Sequence, residues 1–154
     1  MNVKRVAGAI GAELQGINLA DGVDGELAAT LRSVLNEHEV LFLRDQAISA
    51  ADQKALAEVF GPLQTHPAYG TVEGFAEVMI LESTRENPSK IEVWHSDMTF
   101  RQHPPSVTVL RGITIPGVGG DTLFASMTAA YDGLSPGMQS YLEGLTAVHD
   151  FSHG

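Results

Sequence analysis

The hydrophobic pattern of this chain changes its period about half-way along, and that change limits the folds it can adopt. In the first half, five residues recur at i, i+4, i+7, i+8 and i+11: Leu27, Leu31, Val34, Leu35 and His38. This stripe predicts an amphipathic helix that begins at about Asp24. Ser49 and Asp52 form a capping-box pattern. They predict a second helix, which Gly61-Pro62 ends.

Short apolar segments bounded by turn residues predict β-strands, mainly in the second half of the chain. Residues 40–43 are such a run and predict a buried strand. From residue 78 onward the strand candidates are residues 78–81, 93–100, 107–115, 121–126 and 146–151. Ser135-Pro136 predicts a short helix through Leu145. Helices followed by closely spaced strands indicate an α+β fold with a sheet sandwich or barrel at its centre.

Composition limits the partners and the compartment of the protein. The 154 residues are enough for one domain with a substantial core. No apolar stretch is long enough to span a membrane, and the N-terminus lacks the pattern of a secretory signal. The absence of cysteine excludes disulfide scaffolds and thiolate metal sites, and the net charge of −10 argues against nucleic-acid binding. We therefore expect a cytoplasmic protein with neither nucleic-acid nor membrane partners.

The six histidines of the chain are its main candidates for metal binding or catalysis. One of them, His95, is followed two residues later by Asp97. In a strand, His95 and Asp97 would point to the same face, because successive side chains alternate. Together with a second histidine they would form a facial triad that holds Fe(II) and leaves three positions open. A pair of this kind should occur about 0.7 times by chance in a chain of this composition. From the residues alone, a surface ion pair or a strand hydrogen bond is the better explanation.

The residues around this pair resemble a known family. The matching segments are residues 94–100, Pro104-Pro105 and residues 119–123. They resemble motifs of the iron and 2-oxoglutarate dependent dioxygenases of the taurine dioxygenase family, which includes phenoxyalkanoate and alkylsulfate dioxygenases. Further matches run in order along residues 11–16, 40–46, 60–63 and 149–151. The resemblance implies that residues 1–154 are the N-terminal half of a single dioxygenase domain, with a double-stranded β-helix (jelly-roll) core and flanking helices.

The resemblance also implies roles for individual residues. His95 and Asp97 match two iron ligands, and Thr122 matches a threonine whose hydroxyl contacts a carboxylate of the cosubstrate 2-oxoglutarate. His66 and Tyr69 match the pair that contacts the sulfonate of taurine. Without the resemblance, Thr122 is better explained as a β-branched residue that opens a strand. His66 and Tyr69 are then equally well explained as parts of a proline-rich surface loop.

Two features depart from the family. Ile91 stands where taurine dioxygenase has an asparagine near its substrate, and an apolar side chain there favours a bulkier or more apolar substrate than taurine. The third iron ligand, a distal histidine, and the arginine that binds the far carboxylate of 2-oxoglutarate are expected beyond Gly154. His149 and His153 are the local alternatives for that ligand. We expect a chain that is truncated before the fold closes, has open strand edges and is inactive on its own.

The predicted function is an Fe(II) and 2-oxoglutarate dependent dioxygenase. The resemblance implies that it uses dioxygen to hydroxylate a small anionic organic acid beside a heteroatom, and that it releases succinate and CO2. The implied substrates are sulfonates, alkylsulfates or phenoxyalkanoates, and a homo-oligomer is expected. Two other functions stay open: a non-catalytic β-sandwich module that binds a ligand or partner, and a hydrolase that uses zinc at the same ligands.

Overall fold

The structure is a computed structural model that describes residues 1–89, 91 and 93–151. These residues form helices and small sheets, so the predicted α+β class is confirmed. The elements in chain order are β1 (Asn2–Arg5), β2 (Ala12–Gln15), α1 (Gly25–His38), β3 (Leu41–Phe42), α2 (Ala50–Glu58), β4 (Thr71–Val72), β5 (Phe75–Met79), α3 (Met127–Asp132) and α4 (Pro136–Leu142), with a 3₁₀ helix at Leu19–Asp21. In the described part of the chain, no helix has the length and apolar character needed to cross a membrane.

The chain divides into two compact units. The first unit contains Met1–Asn18, Val23–Gln46 and Gly112–Val148. The second contains Leu19–Gly22, Ala47–Arg111 and the chain from His149 onward. Each unit therefore combines segments that are distant in the sequence.

The first unit is built on a three-stranded sheet in the order β1-β2-β3. Strands β1 and β2 are antiparallel, whereas β2 and β3 are parallel and are connected through α1. Helix α1 begins as predicted, because the Asp24 carboxylate accepts a hydrogen bond of 2.8 Å from the Leu27 N–H. It ends at Glu39, whose left-handed backbone (φ 62°) turns the chain into β3. Leu31 on the predicted stripe is buried, as is Leu14 of the sheet.

The second unit places α2 against the β4–β5 hairpin. The capping box forms as predicted: the Asp52 carboxylate accepts from the Ser49 N–H at 2.8 Å, and the Ser49 hydroxyl accepts from the Asp52 N–H at 3.2 Å. Lys54 of α2 donates to Glu77 of β5 at 3.2 Å. Leu56 of α2 is buried, and so is Val78 of β5.

Several strand predictions are wrong. Residues 93–100, 107–115, 121–126 and 146–151 form no strand among the described residues, so the open strand edges expected there are not formed. A strand needs a neighbouring strand to complete its backbone hydrogen bonds, and no described segment supplies one to these residues. Residues 78–81 overlap β5, which begins earlier, at Phe75. Residues 40–43 contain only the two-residue strand β3, which is half-buried rather than buried.

Candidate metal centre

His95 and Asp97 face each other in the second unit. The distance from His95 Nε2 to Asp97 Oδ1 is 3.3 Å, and both side chains are about half exposed. The predicted strand is absent, because Asp97 begins a turn in which Met98 has a left-handed backbone (φ 50°). The Arg101 N–H closes this turn on the Met98 carbonyl at 3.0 Å. The side chains therefore converge through an irregular segment rather than through the alternation of a strand.

The hydrogen bond at one nitrogen of the His95 ring shows where the neutral ring carries its proton. The other nitrogen then presents a lone pair to Asp97. His95 Nδ1 lies 2.8 Å from the Val93 carbonyl oxygen, which can only accept, so Nδ1 carries a proton. In the neutral ring Nε2 is then an acceptor, like the carboxylate oxygen opposite it. At 3.3 Å, Nε2 and Oδ1 form an ion pair when the ring is protonated, and when the ring is neutral both are available as ligands of a metal ion. Neighbouring ligands of an octahedral divalent ion are about 3 Å apart, so the pair fits such an ion.

The second oxygen of Asp97 has a partner that the sequence did not reveal. The Thr108 hydroxyl donates to Asp97 Oδ2 at 2.6 Å. The neighbouring Val109 carbonyl accepts from the side-chain amide of Gln53 in α2 at 3.3 Å, which ties this segment to the helix. The only sequence signal for Thr108 is that it is the single polar residue in a run of apolar residues.

No third metal ligand accompanies the pair among the described residues, since no group of three histidine or carboxylate side chains occurs in them. His149, one of the local candidates for that ligand, instead has its Nδ1 at 2.8 Å from the Thr99 hydroxyl oxygen. His153, the other candidate, lies outside the described residues. The described part of the chain thus brings together one imidazole and one carboxylate.

His66 and Tyr69 belong to an aromatic cluster in the same unit. Their ring centroids are 4.8 Å apart, and the His66 ring also contacts Phe151 (5.4 Å) and Phe100 (6.3 Å). Phe100 follows the His95–Asp97 pair closely in the sequence. His66 Nδ1 accepts a hydrogen bond of 3.1 Å from the Ala68 N–H, so the neutral ring carries its proton on Nε2. His66 can therefore donate a hydrogen bond to an anion.

A cavity of about 690 Å³ lies beside this cluster, in the range of roughly 300–1,000 Å³ typical of small-molecule sites. Tyr69 and Ile91 both line it, so the structure brings these two predicted substrate residues together. Ile80 and Leu81 add apolar surface, and Glu82 is the only charged residue in the described lining. The cavity thus offers both apolar and polar contacts to a small molecule.

The comparison with known families covers almost the whole chain. The family described as "Taurine catabolism dioxygenase TauD, TfdA family" matches residues 2–154. The chain belongs to the TauD/TfdA family. The resemblance found in the sequence motifs is therefore confirmed, and it extends over both compact units.

Named relatives in the TauD/TfdA family are about twice as long as this chain. An alkylsulfatase of Acinetobacter baylyi is 34% identical over 97% of this chain and 47% of its own length. An alpha-ketoglutarate-dependent sulfate ester dioxygenase of Pseudomonas putida is 31% identical over 97% of this chain and 49% of its own. A crystal structure of a taurine dioxygenase from Burkholderia xenovorans superposes with a TM-score of 0.83 at 35% identity, covering 97% of this chain and 53% of that one. The chain thus spans about half the length of the relatives it matches.

Thr122 belongs to the first unit, whereas the other predicted TauD/TfdA site residues belong to the second. It is exposed and lies in an irregular segment that precedes α3. Its contact with 2-oxoglutarate stays a prediction. Within the second unit, the structure pairs His95 with Asp97, His66 with Tyr69, and Tyr69 with Ile91.

Proposed function

We propose that this chain supplies two of the three iron ligands of an Fe(II) and 2-oxoglutarate dependent dioxygenase. The observation that carries the proposal is the convergence of His95 Nε2 and Asp97 Oδ1 at 3.3 Å, with His95 Nδ1 bound to the Val93 carbonyl. An imidazole and a carboxylate are the ligand types of non-haem Fe(II) sites that activate dioxygen. Family membership supports the same assignment. The third histidine and the arginine for 2-oxoglutarate are expected outside the described residues.

The reaction we propose is hydroxylation of a small organic acid beside a heteroatom. When bound, Fe(II) with 2-oxoglutarate and dioxygen supplies the oxidising power, and 2-oxoglutarate leaves as succinate and CO2. The residues of this chain would bind and orient: His95 and Asp97 hold the metal, and the Thr122 hydroxyl contacts a carboxylate of the cosubstrate. Hydroxylation of the carbon that bears a sulfonate, a sulfate ester or an aryl ether gives a product that collapses to a carbonyl compound and releases sulfite, sulfate or a phenol.

The aromatic cluster offers donors to an anionic group, and the cavity offers apolar surface to the rest of the substrate. The His66 Nε2–H and the Tyr69 hydroxyl are donors for the oxyanion. Ile80, Leu81 and Ile91 offer apolar surface to the rest of the molecule. Alkylsulfates and phenoxyalkanoates combine an anionic group with an apolar body in this way. Taurine carries an amine where these molecules have an apolar body. The names of the A. baylyi and P. putida relatives point to sulfate esters as well.

We also propose the fold of the whole enzyme as a jelly-roll, with residues 1–154 as the N-terminal half of one domain. Support comes from the superposition on the taurine dioxygenase of B. xenovorans and from the 53% of that chain which it covers. A homo-oligomeric state and a cytoplasmic location stay predictions.

The test is Fe(II)-dependent release of succinate by the full-length enzyme, measured with sulfonates, alkylsulfates and phenoxyalkanoates. Asp97→Ala should abolish it. Asp97→Glu should retain on the order of a hundredth of the rate, because the added methylene moves the ligand oxygen by about an ångström. Asp132→Ala, which changes an acidic residue of α3, is the matched control. Zinc-dependent hydrolysis without succinate, or ligand binding without metal dependence, would reject the dioxygenase in favour of one of its rivals.

A further inference from the structure

The two oxygens of the Asp97 carboxylate have different partners. Oδ1 faces His95 Nε2 at 3.3 Å, whereas Oδ2 accepts a hydrogen bond of 2.6 Å from the Thr108 hydroxyl. A carboxylate oxygen can only accept, so the single hydroxyl proton of Thr108 is committed to Asp97. A length of 2.6 Å is typical of the strong hydrogen bonds that hydroxyls donate to ionised carboxylates.

We propose that Thr108 is a positioning residue that makes Asp97 a ligand through one oxygen only. This inference rests on the proposed function, since it concerns the same metal. The torsion that orients a carboxylate has a broad energy minimum, so the group of a half-exposed aspartate turns easily. A carboxylate free to turn can bind a metal through both oxygens and occupy two positions. Holding Oδ2 on Thr108 leaves that additional position open.

Thr108 is next to Val109, whose carbonyl is held by α2. The Gln53 side-chain amide donates to the Val109 carbonyl at 3.3 Å, and Gln53 belongs to α2, which has a complete capping box. The β-branched side chain of threonine has few rotamers, which limits where its hydroxyl can point. The geometry of Asp97 is therefore connected to a regular helix, although Asp97 lies in an irregular segment.

The test compares Thr108→Val, which keeps the shape but loses the hydroxyl, with Thr108→Ser, which keeps the hydroxyl. Co(II) is the probe, titrated into the full-length enzyme, and the readouts are its dissociation constant and its d–d absorption spectrum, which responds to coordination number. We expect Thr108→Val to weaken binding about 10–100-fold and to change the spectrum. Thr108→Ser should restore both. Thr30→Val removes a threonine hydrogen bond in α1 and is the matched control, while thermal unfolding monitors folding.

Different results overturn different claims. If Asp97→Ala binds Co(II) as well as the unchanged chain does, the proposed function fails, and the role of Thr108 fails with it. If Asp97→Ala loses Co(II) but Thr108→Val binds it unchanged or more tightly, only the role of Thr108 is overturned. Equal losses in Thr108→Val and Thr108→Ser would also overturn it, because the hydroxyl would then not be the responsible group.

Discussion

The chain up to residue 80 and the chain after it differ in how they satisfy their backbone and bury their apolar side chains. All five strands of the described residues lie before residue 80, and so do the buried hydrophobic residues, namely Ala12, Leu14, Leu19, Ala28, Leu31, Leu56 and Val78. After residue 80, the regular elements in the described part of the chain are the short helices α3 and α4. Large apolar residues there are exposed, for example Ile113 (73%), Val118 (94%) and Val148 (97%).

The difference shows which elements a sequence can form from local contacts. A helix completes its hydrogen bonds within one segment and needs only caps at its ends, whereas a strand depends on a second segment. The region after residue 80 forms helices where caps are present and stays irregular where only apolar alternation is present. The His95–Asp97 pair lies in this irregular region, as binding residues often do when a regular scaffold holds their loop.

The largest effect that separates the two regions should come from truncating their apolar side chains. Leu31 is 1% exposed, so Leu31→Ala should lower the free energy of unfolding by about 2–5 kcal/mol through lost burial and the remaining cavity. Ile113→Ala in the exposed region should change it by less than about 0.5 kcal/mol. Guanidinium chloride unfolding measures both. Equal losses would show that Ile113 is buried in solution and would remove the contrast.

The next effect concerns selectivity in the irregular region. Ile91 is 54% exposed and lines the cavity with Tyr69. Ile91→Asn should raise the rate with a small sulfonate relative to that with a long alkylsulfate by about 10–200-fold, because the amide can donate to an oxyanion and disfavours an alkyl chain. The ratio of succinate release with the two substrates measures this. Val118→Asn is a control at an exposed apolar residue that does not line the cavity. An unchanged ratio in Ile91→Asn would remove Ile91 from the substrate site.

The sequence predicted α1, α2 and α4 because their signals are local, whereas α3 was not predicted. Ser49 and Ser135 cap α2 and α4 as predicted, and α1 begins with Asp24 as its cap, where the hydrophobic stripe predicted it. Each of the three residues has a side-chain oxygen that accepts from a backbone N–H three residues later. The strands after residue 93 were not predicted correctly. Their apolar alternation carries no information about which segment is to be the neighbour.

The candidate site, too, was predicted where its signals are local in the sequence and missed where they are not. His95 and Asp97 were singled out by spacing and by family motifs, and their side chains do converge. The strand that was expected to align them is replaced by a turn at Met98, whose positive φ has no sequence signal of the glycine type. Thr108 was missed because its contact with Asp97 spans eleven residues and depends on that turn.

A smaller effect should distinguish a helix that packs from one that does not. Ser49→Ala removes the cap of α2, whose Leu56 is buried, and should lower the free energy of unfolding by about 1 kcal/mol. Ser135→Ala removes the cap of α4, which has no buried residue. Its effect should be confined to faster hydrogen exchange in α4, with global unfolding nearly unchanged. A global loss in Ser135→Ala as large as that in Ser49→Ala would show that α4 packs against the core in solution.

The smallest effect is the pH dependence of the α2 cap. The Ser49 N–H, followed by the Ser49 hydroxyl and the charge of Arg111, holds the pKa of Asp52 below its ordinary value of 3.8. Because the folded pKa is the lower one, the ionised carboxylate stabilises α2 fully above the ordinary value, and this contribution is lost as the pH falls through the folded pKa.

Helicity measured by circular dichroism should therefore decrease with acid more in the unchanged chain than in Asp52→Asn, which has no charge to lose. The two curves are compared because Glu77 contributes to both: its backbone N–H, followed by the hydrogen bond from Lys54, also lowers the pKa of its carboxylate. Asp132→Asn, at the end of α3 and outside any capping box, should follow the unchanged chain. Identical curves for the unchanged chain and Asp52→Asn would mean that the charge of Asp52 adds nothing to the capping box, and that the cap depends on the Ser49 hydroxyl alone.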